Sequence, residues 1–278
     1  MGENRLIQLR HTIAKNREKM TCIIAGNCSD GVTIIADRKI RYGNRNVSSR
    51  EKIFKDYHPY VIASSGDVSI FDDFRKKALR LAQESLGMFD TNGNFEPIPF
   101  DPTNVSGISQ SHSKSTDYPV IKHRKYLDGL KKLIVEKKNE IRLNKDRYPF
   151  DALVVSQADN EASLVYFDDN GSTNEITEPF KIIGSDSALF YGSMFVKPLQ
   201  KESTKMSEFA ELAYFTIKYM DRFGIDDTVG LMGEKPLVYF IPDRGTVERA
   251  SDEFLRLCED NTNQMLDNFK SVGIRKLL

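Results

Sequence analysis

The segment from Met20 to Asp37 constrains this chain more than any other. Two apolar runs, residues 21–27 and 31–37, flank Asp30-Gly31 and read as two strands joined by an Asp-Gly turn. Thr21 heads the first strand. A threonine there is ordinarily a β-branched strand residue. A chain break after Met20 changes its chemistry, because Thr21 then carries a free α-amine beside its own hydroxyl. The amine can take the hydroxyl proton while the oxygen attacks a carbonyl.

Composition narrows the field. The chain has 278 residues, 31.7 kDa, 40% hydrophobic and 29% charged residues, room for one large domain or two small ones. A net charge of +0 supplies no global field for recruiting nucleic acid or membrane. No run approaches the roughly 20 apolar residues of a membrane span, and the N-terminus lacks the pattern of a secretion signal. Cys22, Cys28 and Cys258 are irregularly spaced, which fits neither a disulfide scaffold nor a metal site and suggests a reducing, cytoplasmic interior. His11, His58, His112 and His123 lack ligand spacing. No cofactor and no metal is expected.

Residues 1–20 are basic, with Leu6, Ile7, Leu9 and Ile13 on one face of a possible short helix. Polar residues 38–50 read as a loop or short irregular hairpin, and residues 60–64 as a buried strand. Helical periodicity follows over about 67–85. Residues 87–120, with Pro97, Pro99, Pro102 and a Ser/His/Lys run, read as a long loop, a class that is functional or disordered. Further helices are expected at about 125–143, 186–197, 206–223 and 247–270, with strands in 151–155, 162–167 and 237–241. Strands and helices in this order make an α+β chain.

Asp37 closes the second strand, Lys52 opens a later one, and Ser64-Ser65-Gly66-Asp67 precedes the first helix. Ile182-Ile183-Gly184-Ser185-Asp186-Ser187 follows in the second half. This order over residues 21–243 resembles the β-type subunits of the proteasome and related N-terminal-nucleophile hydrolases, which implies an α+β, four-layer α/β/β/α sandwich; the chain has enough strands and paired helices for it. The resemblance divides the chain into residues 1–20 as a propeptide or non-native extension, 21–245 as the hydrolase domain with an insertion at 87–120, and 246–278 as a helical extension. It departs from the family at Met20, where active members with propeptides carry glycine. Two routes to a free Thr21 are therefore open: self-cleavage, or translation from Met20 followed by removal of that methionine.

What the resemblance implies is a threonine peptidase or transacylase. Thr21 is the nucleophile, Lys52 favours its alkoxide, Asp37 holds Lys52, and the Gly66 N–H meets the oxyanion. Ser185 lies near the threonine amine; it also reads as a helix cap. Asp226 is the last polar member by its distance to Gly230, with Asp221 the other option; Val229 then stands where the family has a serine. Ile40, Arg50, Phe54, Ser64, Val68 and Asp72 line the first specificity pocket. Expected partners are a peptide or unfolded protein substrate, further copies in a homo-oligomeric ring or stack, and a proteasome-type partner ring or unfoldase. The competing readings are a silent subunit with an assembly role, and an unrelated α+β amidase or binding module.

Overall fold

The computed structural model describes residues 21–42, 46–49, 51–57, 60–65, 68–86, 88–89, 95–96, 117–143, 151–158, 161–167, 173–176, 178–201, 203–226, 229–244 and 246–271. Two five-stranded antiparallel sheets form its centre. The first contains β1 (Cys22–Cys28), β2 (Gly31–Ala36), β12 (Phe180–Gly184), β13 (Leu237–Pro242) and β14 (Glu248–Arg249), in the order β12-β1-β2-β13-β14. The second contains β5 (Ile53–Tyr57), β6 (Tyr60–Ser65), β9 (Asp151–Ala158), β10 (Glu161–Phe167) and β11 (Thr173–Glu175), in the order β11-β10-β9-β6-β5. Five helices complete the described chain: α1 (Val68–Leu86), α2 (Asp117–Leu143), α3 (Asp186–Val196), α4 (Met206–Phe223) and α5 (Asp252–Ser271).

The period-two alternation of the strands explains the layering. Ile23 and Ala25 of β1 and Ile34 and Ala36 of β2 turn toward the second sheet, where they meet Val61, Ala63, Leu153 and Val155. Cys22, Ile24 and Ile35 turn the other way, onto Phe209, Ala213, Tyr214 and Ile217 of α4. On the far side, Ile62 and Val154 meet Phe74 and Ala78 of α1 and Leu130 and Ile134 of α2. Three apolar interfaces between four layers result, the α/β/β/α sandwich that the family resemblance implies. Both sheets are buried on two faces, which is why their strands read as near-continuous apolar runs.

Several local expectations need correction. The two loop residues between β1 and β2 are Ser29 and Asp30, because Cys28 pairs with Gly31. Gly31 belongs to β2 at φ 143°, and a Cβ there would stand 2.3 Å from the Ile241 carbonyl oxygen. Glycine is needed for the close passage of β13. For residues 38–50 no correction is needed, since the short hairpin, one of the two expected alternatives, is present as β3 (Lys39–Tyr42) with β4 (Asn46–Ser49). Within 87–120, β7 (Met88–Phe89) pairs with β8 (Phe95–Glu96), and α2 starts at Asp117, well before Lys125. Pro119 lies in the first turn of α2, where its missing N–H has no helical partner to lose. The region expected to be helical from residue 247 first forms β14, and α5 starts at Asp252.

The C-terminal helix packs on its own subunit. Leu255 and Cys258 of α5 enter the apolar layer beneath the first sheet, and Leu266 meets Phe215 and Tyr219 of α4. Ion pairs Lys218–Glu259 at 3.1 Å and Arg222–Asp267 at 2.8 Å border that contact. No helix among the described residues is long and apolar enough to cross a membrane.

Candidate active site

The β1–β2 hairpin places Thr21 beside Asp37. Its register pairs Ile23 with Ala36, and the Asp37 N–H donates to the Cys22 carbonyl at 3.0 Å. The two residues just beyond the paired strands are therefore neighbours. Thr21 Oγ1 donates to Asp37 Oδ1 at 2.8 Å, and the Cys22 N–H donates to the same oxygen at 2.9 Å. Lys52, immediately before β5 of the second sheet, reaches across with its Nζ 2.6 Å from Asp37 Oδ1. The Gly230 N–H donates to Asp37 Oδ2 at 3.2 Å. Each of the two carboxylate oxygens thus has a protein donor.

All three side chains are withdrawn from water, Thr21 at 1%, Asp37 at 0% and Lys52 at 6% exposure. Burial pulls the Lys52 ammonium below its ordinary value of 10.5, and the adjacent Asp37 carboxylate opposes that shift. The same burial, followed by the Asp37 charge, raises the Cys22 thiol well above 9.0, so Cys22 is protonated. Its side chain packs beneath the first sheet among apolar groups.

A second set of contacts holds the Thr21 backbone. The Ser185 N–H donates to the Thr21 carbonyl at 3.0 Å. Gly184, opposite Cys22 in the β1–β12 pair, has φ 143°, and a Cβ on it would lie 2.0 Å from the Thr21 carbonyl oxygen. Only glycine permits this approach. Ser185 also caps α3, its Oγ accepting from the Ala188 N–H at 3.1 Å, and that hydroxyl donates to Asp226 Oδ2. The Ser185 hydroxyl thus caps α3 and bonds to Asp226 at once.

The structure separates the two aspartates left open by the sequence. Asp226 is buried and bonded to Ser185. Asp221 accepts from the Leu231 N–H at 3.1 Å and so ties down the loop after α4. Val229 lies in the apolar layer with α3 and α4, and carries no hydroxyl for the polar network.

Of the residues expected to line the specificity pocket, Phe54 is buried against Phe74 of α1, with the Arg75 guanidinium 5.5 Å above its ring. Ser64 is buried at the end of β6, and its hydroxyl has no hydrogen-bond partner among the described residues. Asp72 is half-buried on α1. Ile40 and Val68 lie in β3 and α1, but their side chains are outside the described set. Arg50 and Gly66 are also outside the described residues, as are residues 1–20.

Sequence reasoning missed the two backbone donors to Asp37, from Cys22 and Gly230. In the sequence Gly230 marks only a spacing from Asp226. Its carbonyl also accepts from the N–H groups of Arg38 at 3.0 Å and Lys39 at 2.9 Å, so the loop after α4 clamps the end of β2. Among the described residues, no three His, Cys, Asp or Glu side chains are grouped to hold a metal ion.

No protein-family model and no curated protein sequence matches the chain. Solved structures do. The chain is similar to Anbu, described as an ancestral β-subunit, from Yersinia bercovieri, with TM-score 0.60 and 16% identity over 90% of this chain and 97% of that one. It is similar also to an Anbu mutant from Hyphomicrobium sp. strain MC1, with TM-score 0.58 and 16% identity over 90% and 96% of the two chains. At this identity the likeness is one of fold, the proteasome-like N-terminal-nucleophile fold.

Proposed function

We propose that this protein is a threonine-nucleophile hydrolase of peptide bonds, active once Thr21 is the first residue. The observation that carries the reading is the contact of Thr21 Oγ1 and Lys52 Nζ with one buried oxygen of Asp37. A buried ion pair is weak as a stabilising device, because desolvation offsets its Coulomb attraction. Such a pair beside a hydroxyl at a chain-cleavage point has a chemical use.

In the proposed reaction Thr21 Oγ1 attacks a peptide carbonyl. Its proton passes to the freed Thr21 amine, with Lys52 stabilising the developing alkoxide. The N–H of Gly66 meets the oxyanion, as the family resemblance implies. The C–N bond breaks, the amine product leaves with the transferred proton, and an ester remains on Thr21. Water then cleaves that ester; an amine in place of water makes the reaction a transacylation. Residues 1–20 act as the removable segment. The substrate is a peptide or an unfolded chain, taken by a cytoplasmic assembly of several copies, with or without a partner ring or unfoldase.

One observation favours a second reading, a silent subunit with an assembly role: Val229 occupies the apolar layer where the family has a polar serine. A single experiment separates the two. Intact mass spectrometry of protein from its native cell should give a species beginning at Thr21 that cleaves peptide. Thr21→Ala should abolish cleavage, while loss of a hydrogen bond to a carboxylate costs folding only ~1.5 kcal/mol. Turnover by a species that keeps Met1, or by Thr21→Ala, would refute the proposal.

A further inference from the structure

Ser65, the last residue of β6, is 3% exposed, and its hydroxyl has no hydrogen-bond partner among the described residues. The alternation of β6 fixes which way it faces. Tyr60 and Ile62 pack toward α1 and α2, while Val61 and Ala63 pack toward the first sheet. Ser65 is next in the second series. The first sheet follows the same rule. Ile23 and Ala25 of β1 turn toward the second sheet, and Thr21 is two residues before Ile23. Both hydroxyl side chains thus belong to the seam between the sheets. They also lie at one end of it. The Ser64 N–H donates to the Lys52 carbonyl at 3.2 Å, and Lys52 Nζ shares Asp37 Oδ1 with Thr21 Oγ1. Ser65 is the next residue along β6. Burying an unpaired hydroxyl works against folding, and such groups in native proteins call for an explanation, a catalytic role among them.

We propose that Ser65 is a further catalytic residue, whose hydroxyl donates to Thr21 Oγ1 as that oxygen becomes the alkoxide. This inference rests on Thr21 being the nucleophile. In the structure Oγ1 donates to Asp37 Oδ1, an oxygen that also accepts from the Cys22 N–H and from Lys52 Nζ. For attack on a carbonyl the proton passes to the Thr21 amine instead. Oγ1 then releases Asp37 and changes from donor to acceptor. Lys52 gives the developing charge one donor, and Ser65 gives it a second from the same sheet. Ser65 keeps its own proton throughout, so the proton balance of the reaction is unchanged. A dry, preorganised donor that is satisfied only at that step favours the transition state over the ground state. Asp151 is the competing partner. It is buried, pairs with Ser65 across the β6–β9 ladder and accepts from the Tyr166 hydroxyl at 3.4 Å. A Ser65 hydroxyl that serves Asp151 stabilises the fold, whereas one held for Thr21 does not. The two roles predict opposite effects of its removal on stability.

Ser65→Ala in the full chain tests this, with peptide-cleavage kinetics, thermal unfolding and peptide mapping after a peptide epoxyketone measured on one preparation. Turnover should fall about tenfold or more in kcat, with KM little changed, because the lost bond belongs to the transition state. The melting temperature should rise by roughly 2 °C or more, since an unpaired buried hydroxyl is gone. The epoxyketone adduct should still form on Thr21, about tenfold more slowly than in the wild type. A Ser65→Ala protein with wild-type kcat and adduct rate overturns the proposal and leaves Thr21 as the nucleophile. A variant that is less stable than the wild type, or does not fold, also overturns it, because the hydroxyl then serves the fold through Asp151. A wild type that gives no adduct on Thr21 overturns the nucleophile assignment first, and this inference with it.

Discussion

Lys52 Nζ lies 2.6 Å from Asp37 Oδ1, and both side chains are closed off from solvent. The two residues are carried by different sheets, since Asp37 directly follows β2 and Lys52 directly precedes β5. Their contact therefore exists only when the two sheets are stacked, and it draws Thr21 Oγ1 onto the same oxygen. The surroundings of Thr21 are a product of the whole sandwich.

Lys52→Ala should lower turnover by about 10²-fold or more, the scale of a well-placed electrostatic or proton-transfer partner. It should also destabilise the fold, because the Asp37 carboxylate stays buried without its cation. Steady-state kinetics beside a denaturant titration gives both numbers. A folded Lys52→Ala protein with wild-type kinetics would remove the lysine from the chemistry.

The pH dependence of stability follows from the lowered Lys52 value. Between the folded-state value and 10.5, the unfolded chain keeps the Lys52 proton and the folded chain has released it. Stability then rises with pH, because the unfolded state binds more protons. The cost of burying the charged amine is full below the folded-state value and vanishes above 10.5. Relative to Asp37→Asn/Lys52→Met, which has no titrating pair, the wild type should gain stability as pH rises from neutral toward 10.5. Urea titrations at several pH values measure this. A falling or flat difference would mean that burial does not govern Lys52.

Gly184→Ala should damage the site without touching a reacting group. The new Cβ stands 2.0 Å from the Thr21 carbonyl oxygen, on a backbone at φ 143°. Strain of that kind costs about 1–3 kcal/mol, and relief requires moving Thr21 or β12. Peptide cleavage should therefore fall more than the melting temperature alone explains. Full activity in a stable Gly184→Ala protein would show that the β12 contact does not position Thr21.

Much of this was legible in the sequence where one local rule decides. Helix α4 is legible with its observed bounds, because its apolar period is unbroken from Phe209 to Tyr219. The start of α3 was legible from Ser185, a capping residue whose hydroxyl does accept from the Ala188 N–H. The start of α2 was not, because Pro119 reads equally as loop punctuation and as a first-turn residue. Likewise Asp-Gly signals a turn, yet the need for Gly31 comes from β13, more than two hundred residues away. The site shows the same division. Thr21, Asp37 and Lys52 have side chains that invite a chemical reading. The Cys22 and Gly230 donors are backbone groups, and any residue but proline carries one. The choice between Asp221 and Asp226 depended on how the chain turns after α4, which no local pattern specifies.

The most direct measurement is peptide mapping after treatment with a peptide epoxyketone. That electrophile closes a ring through a free α-amine and its neighbouring hydroxyl, so it reports chain start, nucleophile and access together. The predicted result is one adduct, on an N-terminal Thr21, formed at a rate that Lys52→Ala reduces and accompanied by loss of peptide cleavage. A protein that cleaves peptide while residue 21 stays unmodified, or one whose Thr21 is N-terminal and inert to the reagent, would contradict the assignment of Thr21 as the nucleophile.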